Sequence, residues 1–312
     1  MRNIYGNGEE MKYYRVIEQF GKTHLCVDIG NDTLKSLTSI NDLVKSYVDL
    51  LDVAHITEHK VDQITNTILK QGDGTSFKLS DLINWSKQNS APAKLLKPIE
   101  PEEMWAGGLG NMIIDKETLT QANEDTKIAY NTPEISTTIY KGTNHRLVGP
   151  FDNIGIRTDT EKTVAEGEIV FVIYRGKFAG ISTGNEVAGG LASLSSNWTV
   201  PSKVFKGCAS IGPCILSVED VKLPLELNLE LKQYRNGKKI GESSLITKFK
   251  RTPDEIIAST VAHDNPPKLV IQYTGGFALA KSGSTIVPLI EGDIVRIELE
   301  SVGFVENKVE LV

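Results

Sequence analysis

The chain has 312 residues, 40% of them hydrophobic and 24% charged, and a formal net charge of −6. Such a composition builds a sizeable core and excludes wholesale disorder. The acidic balance speaks against a nucleic-acid or anionic-membrane partner, which needs clustered Lys and Arg. Cys26, Cys208 and Cys214 are too few and too scattered for a disulfide framework or a Cys-x-x-Cys metal motif, so a reducing cytoplasm fits best. No apolar stretch approaches the roughly 18 residues of a membrane span, and the first ten residues lack the apolar run of a signal peptide.

In chain order, residues 1–10 read as a loose tail. Residues 12–40 predict two or three short strands, from the alternation around Tyr13-Tyr14-Arg15-Val16-Ile17 and the turn residues Gly21, Gly30 and Asn31. From about Ser39 to Lys70 apolar residues recur every three or four positions: Leu43, Tyr47, Leu50 and Leu51, then Ile64 and Ile68. That spacing predicts helix until Gly72-Asp73-Gly74 stops it. Pro98 and Pro101 fix φ and restrict the residues before them, which marks a linker. A boundary there separates a small α/β N-terminal domain, 11–97, from a larger domain, 98–312. The larger domain is mostly strand, with candidates at 154–158, 168–174, 178–183, 224–233, 239–246, 268–274, 293–300 and 302–311. Its one clear helix starts after Thr252, where Pro253 and Glu255 complete a capping box.

The chemically informative stretch runs from Glu166 to Glu186. Glu166 and Glu168 lead an apolar strand and, two residues apart, point to the same face. Arg175-Gly176-Lys177 reads as a hairpin turn. With Gly176 at its centre, Glu186 falls opposite Glu166, and one hairpin gathers three carboxylates. Clustered anions repel and are costly to desolvate, so they call for a cation. Oxygen donors without His or Cys select a hard ion, Mg²⁺, with Mn²⁺ or Ca²⁺ as alternatives. The competing reading places Glu166 and Glu168 in water on an edge strand, and a turn shifted by one residue breaks the register. The five histidines show no ligand spacing, and Gly107-Gly108-Leu109-Gly110 is not a phosphate loop.

An ordered set of motifs resembles the fumarylacetoacetate hydrolase family. It comprises Pro98 to Gly108, Ile139 to Gly149, Glu166-Gly167-Glu168, Gly184-Asn185-Glu186, Lys203 to Pro213, Tyr273-Thr274-Gly275-Gly276 and Glu291-Gly292-Asp293. Together they cover about 98–308; each is weak alone, and their order is specific. Within the family, Lys141 to Arg146, Gly241 to Arg251 and Asp264-Asn265-Pro266 resemble its dehydratases of 2-keto-3-deoxy sugar acids, such as 2-keto-3-deoxy-D-arabinonate. The resemblance implies an α+β fold whose C-terminal domain is a mixed β-roll, and a homo-oligomer, dimer or tetramer. It implies Mg²⁺ held by Glu166, Glu168 and Glu186, with Lys203 and Thr274 catalytic. It also implies a small-molecule 2-oxo acid substrate met by Lys141, Arg146 and Gly275.

A 2-oxo acid chelates a metal through its carboxylate and keto oxygen. The ion then stabilises enolate charge once a C3 proton leaves, and loss of the neighbouring hydroxyl completes a dehydration. Lys203 is either the base, its pKa lowered by burial, or an ammonium that balances charge. Thr274 and Gly275 either offer hydroxyl and N–H groups to a carboxylate or form a plain turn. Lys141 and Arg146 either meet the substrate or pair on the surface. The sequence also departs from the family. Glu186 stands where an Asp is usual, which predicts that Glu186→Asp preserves or raises metal affinity. No Arg-Asp follows it, and Gly167 replaces a Pro. Residues 109–140 contain no His, where the hydrolases and decarboxylases carry one to activate water. Dehydration therefore leads, ahead of a hydrolase or isomerase of another 2-oxo acid and of a non-catalytic homologue.

Overall fold

The hairpin around Arg175 and Gly176 organises the molecule. The computed structural model describes residues 10–108, 111–113, 116–121, 124–132, 138–160, 162–190, 199–275 and 278–312. The expected tail, apart from Glu10, and Gly276 lie outside the described residues. The N-terminal part runs β1 (Lys12–Glu18), β2 (Thr23–Asp28), β3 (Thr33–Ser36), α1 (Leu37–Ile40), α2 (Tyr47–Thr57), α3 (Val61–Leu69), β4 (Ser76–Lys78), α4 (Leu79–Ser86) and β5 (Ala93–Leu95). After the two prolines come β6 (Glu103–Ala106), α5 (Lys116–Gln121), α6 (Glu124–Asn131), β7 (Ile139–Thr143), β8 (Leu147–Val148), β9 (Ile154–Ile156), β10 (Lys162–Tyr174), β11 (Lys177–Gly190), α7 (Thr199–Lys203) and β12 (Ala209–Ser217). The last third holds β13 (Asn228–Arg235), β14 (Lys238–Ile246), α8 (Pro253–Val261), β15 (Leu269–Tyr273), β16 (Ala278–Leu279), β17 (Lys281–Ser282), β18 (Thr285–Ile286), β19 (Ile294–Leu299) and β20 (Gly303–Leu311).

These elements form an α+β fold of two mixed sheets. The larger has the order β4-β3-β2-β1-β12-β11-β10-β15-β6-β7, and the smaller β18-β17-β14-β13-β19-β20-β9. β1 pairs with β12 through Lys12–Leu216 and Tyr14–Cys214, so one sheet takes strands from both sides of the boundary expected at Pro98 to Pro101. β10 and β11 sit in its middle, and from Ala165 to Tyr174 every residue of β10 is buried. That explains a continuous apolar run where a half-exposed strand would alternate. The capping box forms as expected: Thr252 Oγ1 accepts from the Glu255 N–H, and Glu255 accepts from the Thr252 N–H at 2.8 Å. Strand β13 starts at Asn228 rather than near 224, because Pro224 has no N–H to give a ladder. β11 does not stop at Thr183 but continues to Gly190, since it is flanked on both sides by β10 and β12.

The hairpin reaches its register through an irregularity. Tyr174 pairs with Lys177 across a two-residue turn, Arg175-Gly176, whose φ angles of 50° and 72° are both left-handed. This turn type matches the twist of the flanking strands. A regular ladder from that turn sets Glu166 opposite Asn185. Instead Phe178 pairs with Ile173 and Gly180 with Val172, leaving Ala179 bulged, and from there Glu166 lies opposite Glu186. Gly180 has φ +143° here, and a Cβ would lie 2.5 Å from the Leu216 carbonyl oxygen. Only glycine fits that point.

Candidate metal centre

Glu166 and Glu168 project from one face of β10, and Glu186 projects from β11 beside them. One carboxylate oxygen of each lies within 4.8 Å of the others. Glu168 and Glu186 are buried, and Glu166 is 9% exposed. The edge-strand reading therefore does not hold: both strands are interior to the sheet. Two ammonium groups enter the cluster. Lys203, the last residue of α7, sits 3.1 Å from Glu166 Oε2 and also pairs with Glu186 Oε2. Lys141 of β7 is fully buried, pairs with Glu186 Oε1 and donates to the Val187 carbonyl at 2.7 Å. Glu186 thus spans two lysines, one per oxygen. The extra methylene relative to Asp is what provides that reach.

Glu168 has no lysine within bonding distance among the described residues. Its partner is the Gly275 N–H, at 2.6 Å. Gly275 has φ +80°, and a Cβ on it would lie 2.4 Å from the Gly107 carbonyl oxygen. The glycine thus allows the post-β15 loop to close onto the carboxylate. Thr274 is buried, and its hydroxyl donates to the Ile169 carbonyl at 3.1 Å. The titration behaviour follows from these contacts. Burial pushes Glu168 well above the usual carboxylate range, and the charges of Glu186 and Glu166 push it further. Burial likewise raises Glu166, against the pull of Lys203. For Glu186 burial acts upward too, but Lys141 and Lys203 outweigh it and hold the carboxyl low. Burial disfavours the Lys203 ammonium, but Glu186 and Glu166 overcome it and hold its pKa above the ordinary lysine value.

Of the residues singled out in the sequence, the structure gathers Glu166, Glu168, Glu186, Lys203, Lys141, Thr274 and Gly275. Arg146 stands apart. Its guanidinium is 3.4 Å from Thr143 Oγ1, and it lines a separate cleft with His145, Arg157, Phe205 and Lys206. The Phe205 ring, 5.8 Å from the Lys141 nitrogen, also lines that cleft. Sequence reading gave Tyr273 no role beyond its place in the motif that ends at Gly276. Its buried hydroxyl donates to the Ser210 carbonyl at 2.7 Å, tying β15 to β12 beneath the carboxylates. Nor did it find the role of Tyr47, whose hydroxyl reaches the bulge at Ala179. Its helical spacing signals only a core position.

Comparison with known proteins places this geometry. Residues 115–310 match the fumarylacetoacetate (FAA) hydrolase C-terminal family. The chain is 30% identical over 312 residues to a 2-dehydro-3-deoxy-D-arabinonate dehydratase of Saccharolobus solfataricus, covering 94% of each chain. It is 28% identical over 290 residues to a probable 2-keto-3-deoxyxylonate dehydratase of Haloferax volcanii, covering 90% of this chain and 94% of the relative. Among solved structures, a 2-keto-3-deoxy-D-arabinonate dehydratase complexed with magnesium and 2,5-dioxopentanoate superposes with a TM-score of 0.73 at 24% identity. That match covers 97% of this chain and 99% of the other. With the family motif spanning most of the chain and the carboxylate hairpin at its centre, this protein belongs to the fumarylacetoacetate hydrolase family.

Proposed function

We propose that this protein is a Mg²⁺-dependent dehydratase of a 2-keto-3-deoxy sugar acid, a carbon–oxygen lyase. The observation that carries the reading is the charge count of the buried cluster. Three carboxylates face two ammonium groups, and Glu168 is left without a cation. The donor set is all oxygen and suits a hard divalent ion, which Glu166, Glu168 and Glu186 would hold. With such an ion the cluster carries one surplus positive charge, which a monoanionic 2-oxo acid cancels. The relatives named for 2-keto-3-deoxy-pentonate dehydration support the substrate class.

A divalent ion held by Glu166, Glu168 and Glu186 would supply Lewis acidity for negative charge developing on the substrate's oxygens. The remaining work falls to the chain. Glu168 is held at a fixed orientation by the Gly275 N–H. Lys141 keeps Glu186 ionised and aimed at its partners. Lys203, between Glu166 and Glu186, would either take the C3 proton or, as an ammonium, hydrogen-bond developing oxyanion charge. Thr274 holds the loop onto β10 through the Ile169 carbonyl. Across the reaction a proton leaves C3 and hydroxide leaves the neighbouring carbon, so one water is lost and no C–C bond breaks.

The test is calorimetry with Mg²⁺ and Mn²⁺ on metal-stripped protein, joined to turnover of a panel of 2-keto-3-deoxy pentonates. We expect one tight divalent ion per chain and ion-dependent appearance of a dioxo acid. Absence of ion binding, or turnover that survives Glu168→Gln, would overturn the reading. The same reading carries a homo-oligomer in the reducing cytoplasm, in keeping with three buried, unpaired cysteines. No described helix is long and apolar enough to cross a membrane.

A further inference from the structure

Helix α2 grips the closed end of the carboxylate hairpin. Tyr47, its first residue, is fully buried and donates its hydroxyl to the Ala179 carbonyl at 2.9 Å. Ala179 is the bulged residue, with no partner between the pairs Ile173–Phe178 and Val172–Gly180. Further along α2, Asp52 accepts from the Tyr174 hydroxyl at 2.5 Å and pairs with Lys268 at 2.6 Å, at the entry to β15. The turn residue Arg175 joins this knot. Its Nε donates to the Tyr174 hydroxyl oxygen at 3.1 Å and its N–H to the Lys268 carbonyl at 2.8 Å. Tyr47 is itself braced, with its ring 4.8 Å from that of Tyr13, which is bonded to Thr65 of α3 at 2.8 Å.

The bulge matters because side chains on a strand alternate. One residue of slip in β11 turns every side chain to the opposite face. A regular ladder from the Tyr174–Lys177 pair would set Asn185 opposite Glu166 and turn Glu186 away from Glu168. The bulge absorbs the extra residue, yet a bulged residue sits outside the ladder, and a buried carbonyl without a partner is costly. Tyr47 supplies that partner. We propose that Tyr47 and Asp52 are positioning residues of the metal centre. They fix the bulge at Ala179, and with it the register that carries Glu186 to Glu166 and Glu168. The functional consequence rests on the proposed reading of those three carboxylates as ligands; the register itself does not.

The experiment compares full-length wild type with Tyr47→Phe and Tyr47→Phe/Asp52→Asn. Leu82→Ala serves as control, a buried leucine of α4, which packs on β4 and β5. Amide hydrogen exchange over residues 178–187 and Mn²⁺ affinity by calorimetry are measured where all four remain folded. Tyr47→Phe should speed exchange and weaken Mn²⁺ binding by about tenfold each, the size of one lost buried hydrogen bond. Adding Asp52→Asn should deepen both. Leu82→Ala should lower the melting temperature and leave both untouched. Wild-type protection and wild-type affinity in Tyr47→Phe would overturn the inference. A wild type that binds no Mn²⁺ would sink the metal reading, and the exchange data would still decide the register.

Discussion

Two groups of three carboxylates lie in this molecule, and they are neutralised by different means. Glu166, Glu168 and Glu186 converge on one point and face two lysines. Asp62, Glu219 and Asp220 lie near the junction of α3 with the end of β12. There they turn to hydroxyls and amides, and the Ser217 hydroxyl lies against both Asp62 and Glu219. Asp62 accepts from Ser217 at 3.0 Å and Tyr13 at 3.3 Å, Glu219 from the Val61 N–H at 3.0 Å, and Asp220 from the Met11 N–H at 2.7 Å. Hydroxyls and amides serve where the carboxylates do not converge on one point. Convergent, buried charges need whole opposite charges, because dipoles cannot offset their mutual repulsion. Convergence with an unmatched carboxylate is therefore what separates the first group from the second.

Four substitutions would break or sharpen this contrast. Lys141→Met should have the largest effect. It removes a fully buried ammonium and leaves Glu186 underpaired, at a cost of about 3–5 kcal/mol in urea denaturation. Glu168→Gln should weaken Mg²⁺ by at least about 100-fold, beyond the 10–100-fold worth of outer-shell partners. In ion-free protein the same change should raise the melting temperature, because burial penalises the Glu168 charge. A lower melting temperature without ion would refute the unmatched-carboxylate argument. Glu186→Asp comes next. The two lysine contacts reverse the expectation drawn from family usage: a shorter side chain cannot span both. Calorimetry should show about tenfold weaker Mg²⁺ binding, the worth of one charged hydrogen bond. Unchanged binding would mean that one lysine suffices.

The second cluster gives the smallest effect and a different sign. Burial, helped by Glu219 and Asp220, pushes Asp62 up to about 6. Its folded pKa then lies above the unfolded value, so the folded state binds the proton more tightly. Stability from this group is full while Asp62 is protonated, and it is lost as pH rises from about 4 through about 6. Asp62→Asn keeps the acceptor oxygen and removes the charge. We expect it to stabilise the protein by about 1 kcal/mol above pH 6, a gain that vanishes below pH 4. Melting temperatures of both proteins across pH 4–8 would show whether the two curves meet.

Much of the site could be read from residue order. The i, i+2 spacing of Glu166 and Glu168 determines a shared face on any strand, and the apolar run behind them predicts that strand. The box at Thr252, Pro253 and Glu255 is local chemistry and formed as read. The pairing of Glu166 with Glu186 was reached by taking Gly176 as the turn centre. The structure arrives at the same pair with a two-residue turn and a bulge whose offsets compensate. Other features were hidden. Nothing in Ala209-Ser210-Ile211-Gly212-Pro213 reads as a strand, yet β12 is buried along its whole length between β1 and β11. Ala209 to Gly212 take their partners from β11, and Cys214 to Leu216 take theirs from β1, two hundred residues or more away, so tertiary context overrides weak local propensity there.

By itself, then, the sequence determined which side chains share a strand face, where one helix begins, and which kind of ion an all-oxygen set of carboxylates would suit. These follow from short-range geometry and from the chemistry of the side chains. Only the tertiary structure decided that Lys141 is a buried partner of Glu186 and that Arg146 lines another cleft. It alone decided that Lys203 lies between Glu166 and Glu186, because residues so far apart in the chain meet only through folding. Tyr47 belongs with these. Its hydroxyl acts on a carbonyl 132 residues away in the chain, and a contact of that range is created by folding rather than by any local pattern.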